Sequence, residues 1–100
     1  MGRVRWTEEA ARWLRDIHDY IAQDSPESAR RVVREIHARG ESLAAFSERG
    51  YRYEDRPDRN IRILLWGHYR IAYLVRSGGD VEILGVFHGA LDIRRYLDSG

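Results

Sequence analysis

The sequence predicts a two-layer α+β domain in which an antiparallel N-terminal helical hairpin packs on one face of an antiparallel β-sheet, in the order β-α-α-β-β-β with a short C-terminal helix. Three observations lead there. The stretch from Ile61 to His88 contains three runs rich in Ile, Val, Leu, Tyr and Phe, broken by Gly67-His68 and by Gly78-Gly79, which is the punctuation of consecutive antiparallel strands. Two stretches before it carry apolar residues at helical spacing. The link between those two stretches is short, which favours an antiparallel helix pair. Helices and sheet then bury their apolar sides against each other.

Arg3 to Trp6 reads as a short strand. Thr7 follows as N-cap, with Glu8 and Glu9 in the first turn where negative charge meets the positive end of the helix dipole. Ala10, Trp13, Leu14, Ile17 and Ile21 form one apolar stripe, and the helix should end near Gln23. Ser25 then caps a second helix, with Pro26 at its first position, where a missing N–H is harmless. Ala29, Val32, Val33, Ile36, Gly40 and Leu43 mark its apolar face. A glycine inside a helix weakens it by about 1 kcal/mol relative to alanine, so Gly40 predicts a kink or a close helix contact. Glu48 to Asn60 loses all periodicity. Its Arg49, Arg52, Arg56 and Arg59 are nearly cancelled by Glu48, Glu54, Asp55 and Asp58, so it reads as a solvated loop in preference to an anion site.

Gly67-His68 suits a type II′ hairpin, because glycine enters the required positive φ without steric penalty. That turn pairs Trp66 with Tyr69, Leu65 with Arg70, Ile63 with Ala72 and Ile61 with Leu74. Extended through Gly78-Gly79, the alternation puts Val81, Ile83, Gly85 and Phe87 beside Arg76, Leu74, Ala72 and Arg70. Trp66, Tyr69, Ile71 and Tyr73 then face the helices. The opposite face collects Ile61, Ile63, Leu65, Arg70, Ala72, Leu74, Ile83 and Phe87. Both faces are mostly apolar, so something must cover the second. Leu91 to Leu97 reads as the terminal helical turn.

Residues 1–100 are expected to form a single domain. No apolar run is long enough for a membrane span and no secretory signal is visible, so a cytoplasmic protein is expected. The absence of cysteine excludes disulfides, thiolate metal sites and cysteine nucleophiles. A formal charge of +1 from 17 basic and 16 acidic residues excludes a general polycation. His18 and His37 fall on helices and His68 in a turn; no pair has metal-ligand spacing, so neither metal nor cofactor is expected. Core packing accounts for Trp13, Trp66, Tyr69 and Tyr73, whereas Tyr51 and Tyr53, in the charged loop, are left to meet a partner.

V-R-W-T-E-E-A near the start, D-Y-I-A-Q-D-S-P across the helix junction, G-H-Y-R-I-A-Y-L-V in the sheet and V-E-I-L-G-V-F-H-G-A-L-D at its end make the chain resemble the RelE/ParE toxin superfamily of type II toxin–antitoxin modules. The Asp-Ser-Pro junction and the terminal His-Gly are more similar to the ParE, or plasmid-stabilisation, branch. The resemblance implies the RelE/ParE fold, a cognate ParD- or RelB-like antitoxin in a hetero-oligomer, and either DNA gyrase or ribosome-bound mRNA as target. For the nuclease alternative it implies Arg70 at the scissile phosphate, with His88 and Tyr96 as further candidates. RelE-type enzymes add two basic residues on the preceding strand. The equivalent positions here are Ile61 and Ile63, and a further basic position corresponds to Leu91, so a non-enzymatic gyrase-binding toxin is expected. An inactive relative that only forms a regulatory complex is a third reading. The second sheet face, Ile61, Ile63, Leu65, Arg70, Ala72, Leu74, Ile83 and Phe87, is the expected antitoxin groove, since an apolar strip with an arginine at its edge accepts an amphipathic segment that folds on binding.

Overall fold

The structure is a computed structural model, and it describes residues 2–88. Strand β1 (Val4–Trp6) leads into helices α1 (Glu8–Ala22) and α2 (Pro26–Glu41), followed by a 3₁₀ turn at Ser42–Ala44. Strands β2 (Tyr51–Arg52), β3 (Ile61–Trp66), β4 (Tyr69–Val75) and β5 (Val81–His88) complete one five-stranded sheet in the order β1-β5-β4-β3-β2. All pairings are antiparallel except β1 with β5, which is parallel.

Both helices begin where the capping logic places them. The Thr7 hydroxyl accepts from the Ala10 N–H at 3.1 Å, and the Ser25 hydroxyl accepts from the Ser28 N–H at 3.2 Å, each satisfying a donor that the first helical turn leaves unpaired. At Gly40 the expected helix contact is replaced by contact with a strand side chain, Trp6 of β1. A Cβ there would lie 2.5 Å from the Trp6 ring. That indole also stacks on His37 and donates to Glu41 at 2.8 Å, so α2 is fastened to β1 through one tryptophan.

The hairpin turn has Gly67 at φ 57°, and no non-glycine residue among those described has positive φ, which is the type II′ pattern. The β3–β4 register follows: Trp66 pairs with Tyr69, Leu65 with Arg70, Ile63 with Ala72 and Ile61 with Leu74. On β5 the expected alternation fails half-way. Arg70 pairs with Phe87 and Ala72 with Gly85, but Tyr73 pairs with Ile83, so Leu84 is an extra residue and the register shifts there. A bulge of this kind exchanges faces for everything beyond it. Ile83 and Val81 therefore belong to the helix-side core, with Ile36, Leu43, Ile71, Tyr73 and Val86. The placement of Ile83 on the opposite face is corrected accordingly, and Leu84 takes its place there.

The second correction concerns exposure. Ile61, Ile63, Ala72, Leu74 and Phe87 are buried, forming a second cluster against which Trp13, Tyr53 and Leu84 pack. Of the expected open apolar strip, Leu65 is the exposed aliphatic residue, at 54 %. The reason lies at the sheet edges. Strand β1 pairs only with Val81–Ile83, so beyond that point α1 lies along β5 and Trp13 meets the Phe87 ring at 4.8 Å. At the other edge the segment read as a loop contains β2, and the Tyr53 N–H donates to the Ile61 carbonyl at 2.8 Å, which draws Tyr53 onto the cluster and away from solvent. The terminal helical turn expected at Leu91 to Leu97 lies outside the described residues.

Candidate functional site

Arg70 stands near the hairpin end of the second face, between Leu65 on β3 and Phe87 on β5. Its guanidinium donates to the Tyr51 hydroxyl at 3.1 Å. Tyr51 is 48 % exposed and, with Leu65, makes the apolar part of the surface around that charge.

Tyr51 is held there by a network from the opposite side of the sheet. The buried Tyr73 hydroxyl accepts from the Gly50 N–H at 2.9 Å and donates to the Ser47 carbonyl at 2.8 Å, while Arg62 donates to the Gly50 carbonyl at 2.7 Å. Burial pushes the Tyr73 phenol above its ordinary pKa, so it stays protonated and able to donate. Gly50 lets β2 come this close: a Cβ there would lie 2.7 Å from the Ile63 carbonyl oxygen. Thus a tyrosine and an arginine facing away from Arg70 fix the strand that carries its partner.

The positions that the resemblance equates with a nuclease's basic pair, Ile61 and Ile63, are buried and contribute volume without charge. Farther along the same face, Glu82 on β5 accepts from Arg5 on β1 and from Arg76, whose guanidinium lies at 2.6 Å. Hydrogen bonds from Arg5 and then Arg76 hold the Glu82 carboxyl below the usual glutamate range. These two arginines are already committed to a carboxylate. Likewise two arginines in β2 and the charged segment after it find partners within that stretch, Arg56 on Asp58 at 3.3 Å and Arg52 on Asn60 at 3.2 Å.

His88 pairs with Tyr69, one residue out of phase with Arg70 and Phe87, so it projects from the opposite face. It does not join Arg70 in a site. The His88 ring instead lies edge-on to Tyr69, centroids 5.5 Å apart, and 6.0 Å from the His68 ring. A cleft of about 380 Å³ opens beside it, walled by Trp13, Ile17, Tyr20, Tyr69 and Val86. Burial raises the Tyr69 pKa. Among the described residues no three His, Asp, Glu or Cys side chains are grouped as for a metal ion. Tyr96 and Leu91 lie outside the described residues. Sequence spacing missed the meeting of His68 with His88, which needs both the hairpin turn and the β4–β5 register.

Residues 4–93 match the family model described as the ParE toxin of the type II toxin–antitoxin system, parDE. The chain belongs to the ParE toxin family. A putative toxin, Y4kP, from Sinorhizobium fredii is 38% identical to this ParE-family chain over 86 residues, covering 86% of each protein. Toxin RelE2 from Caulobacter vibrioides is 42% identical over 50 residues, which span 50% of this chain and 57% of that one. A solved structure titled chromosomal ParDE TA system from P. aeruginosa superposes with a TM-score of 0.72 at 24% identity, covering 90% of this chain and 98% of that one. Two helices on a mostly antiparallel five-stranded sheet are therefore an architecture this ParE-family chain shares with a known toxin–antitoxin structure.

Proposed function

We propose that this ParE-family chain is a cytoplasmic toxin that acts by binding and inhibiting DNA gyrase, and that a cognate antitoxin neutralises it in a hetero-oligomeric complex. The observation that carries this reading is the apolar surrounding of Arg70. A nuclease must stabilise charge that grows on the scissile phosphate, which takes several preorganised cations or donors. Here Ile61 and Ile63 are buried isoleucines and the Arg70 guanidinium is hydrogen-bonded to Tyr51. The candidate acid–base residue His88 is on the far side of the sheet. For the antitoxin, the surface of Leu65, Tyr51 and Arg70 offers apolar area beside a charge, supported from beneath by Ile61, Ile63, Ala72, Leu74 and Phe87. That combination suits an amphipathic partner segment.

The alternative is a ribosome-dependent mRNA endonuclease, which the RelE2 name of one relative and the presence of Arg70 favour. One side-by-side experiment separates them. Wild type, His88→Ala and Tyr96→Phe are each tested for inhibition of gyrase supercoiling and for cleavage of ribosome-bound mRNA. The expected result is equal gyrase inhibition by all three and no cleavage by any. Loss of a positioned acid or base lowers a rate by about 10² to 10⁴, so cleavage by wild type that falls roughly a hundredfold in either variant would overturn the gyrase reading.

A further inference from the structure

Two imidazoles far apart in sequence meet at the tip of the β3–β4 hairpin. His68 is the second residue of the tight turn and His88 is the end of β5, paired with Tyr69. Their ring centroids are 6.0 Å apart and their planes differ by 45°. Both side chains are exposed, and neither has a hydrogen bond or ion pair among the described residues. The other two histidines differ: His18 is engaged by Asp19 at 3.1 Å, and His37 stacks on Trp6 with Glu41 at 3.8 Å.

We propose that His68 and His88 form a two-histidine site for a borderline divalent transition-metal ion of the Zn²⁺ or Ni²⁺ type, whose remaining positions are filled by water. Neutral imidazole nitrogens suit these ions, whereas hard cations such as Mg²⁺ require oxygen ligands. With metal–nitrogen distances of about 2.1 Å, two rings sharing one tetrahedral ion place their centroids roughly 5 Å apart. The observed separation closes to that value by small side-chain rotations, which exposed rings make on the picosecond to nanosecond scale. The backbone needs no movement: the type II′ turn and the β4–β5 ladder hold both Cα positions, so the ligand pair is preorganised. A bound ion would staple the hairpin tip to the end of β5, beside the cleft walled by Trp13, Tyr20 and Tyr69.

The test is titration of tag-free protein with zinc, nickel or magnesium chloride, followed by calorimetry and by the ¹H–¹⁵N signals of the histidine rings. About one Zn²⁺ or Ni²⁺ per chain is expected, with the ring signals of His68 and His88 shifting together and Mg²⁺ producing no change. Loss of a supporting group around a metal ligand already weakens binding about 10- to 100-fold, so His68→Ala and His88→Ala should each weaken it by at least about tenfold. His18→Ala and His37→Ala should retain it. All four positions lie at the surface, and unchanged far-ultraviolet circular dichroism verifies that each variant folds. Absence of binding, or binding that moves the signals of His18 or His37 and survives both His68→Ala and His88→Ala, overturns the proposal.

Discussion

The two faces of the sheet are built from nearly the same kind of sequence and end in different situations. The helix side is a continuous core in which Tyr73, Ile71 and Val86 meet Ile36 and Leu43. The other side holds the smaller cluster of Ile61, Ile63, Ala72, Leu74 and Phe87, and it passes at the hairpin end into the exposed Leu65 and Tyr51 and the half-buried Arg70. Among the described residues, the large exposed apolar side chains on this side, Leu65 and Tyr51, lie in the neighbourhood of one arginine. The buried part supports that patch, and the exposed part is the surface proposed to dock the antitoxin. The comparison also shows that face and exposure are separate properties: alternation assigns the first, and the edges of the sheet decide the second.

The most severe way to break this comparison is Phe87→Ala. The ring is fully buried against Trp13 and over Gly85, where a Cβ would approach it at 2.7 Å. Removing a buried aromatic side chain destabilises by about 3 to 5 kcal/mol, and urea unfolding should show that loss. A change below about 1 kcal/mol would mean that the second face is not a core.

Tyr73→Phe keeps the ring on the helix side and deletes only the hydroxyl, so it tests the coupling of the two faces. It strands the Gly50 N–H and the Ser47 carbonyl, and an unsatisfied buried polar group costs about 1 to 3 kcal/mol. Hydrogen exchange should accelerate at Gly50 and Tyr51 before it does in β4. Uniform acceleration would contradict a network that locally secures β2.

Glu82→Gln is a milder test at the other end of the second face. Arg5 and Arg76 are largely solvated, with side-chain exposures of 68% and 58%, so screening limits the loss to about 1 kcal/mol at neutral pH. The folded carboxyl titrates below the unfolded one, so its contribution is present above the usual glutamate range and is lost as the pH falls through the folded value. Wild-type stability should therefore decline on acidification over that range more steeply than that of Glu82→Gln. Parallel pH profiles would show that the carboxylate adds nothing.

Leu65→Glu should disturb the fold least, within about 0.5 kcal/mol, because the side chain is already half-exposed. Its effect should appear in antitoxin affinity, with a loss of about tenfold or more if Leu65 is an anchoring contact. Leu74→Glu would instead place a charge in the second cluster and damage the fold itself. Unchanged antitoxin affinity for Leu65→Glu would move the docking surface elsewhere.

Much of the molecule is legible in the amino-acid sequence. Thr7 and Ser25 announced two helix starts, Gly67 announced the turn, and the turn carried the β3–β4 pairing as far as Ile61 and Leu74. These features are local: a cap, a positive φ and an alternation each act over a few residues. The candidate site was half legible. Arg70 and the isoleucines that replace its expected companions are visible in the sequence, whereas its hydroxyl partner Tyr51 falls in a stretch that reads as a loop. No periodicity marks a two-residue strand, and β2 exists because Tyr73 and Arg62, distant in sequence, bind the backbone before it.

By itself the amino-acid sequence determined the order of β1, the two helices and β3 to β5, the side of the sheet that faces the helices, and the apolar character of the positions around Arg70. Short-range sterics and period-two or 3.6-residue alternation are sufficient for those. Tertiary structure alone decided the bulge at Leu84, which moves Ile83 into the helix-side core, the burial of the second face by Trp13 and Tyr53, and the meeting of His68 with His88. Each of these depends on which segments come together across long stretches of chain, and on whether a backbone donor or apolar surface there has already found a partner.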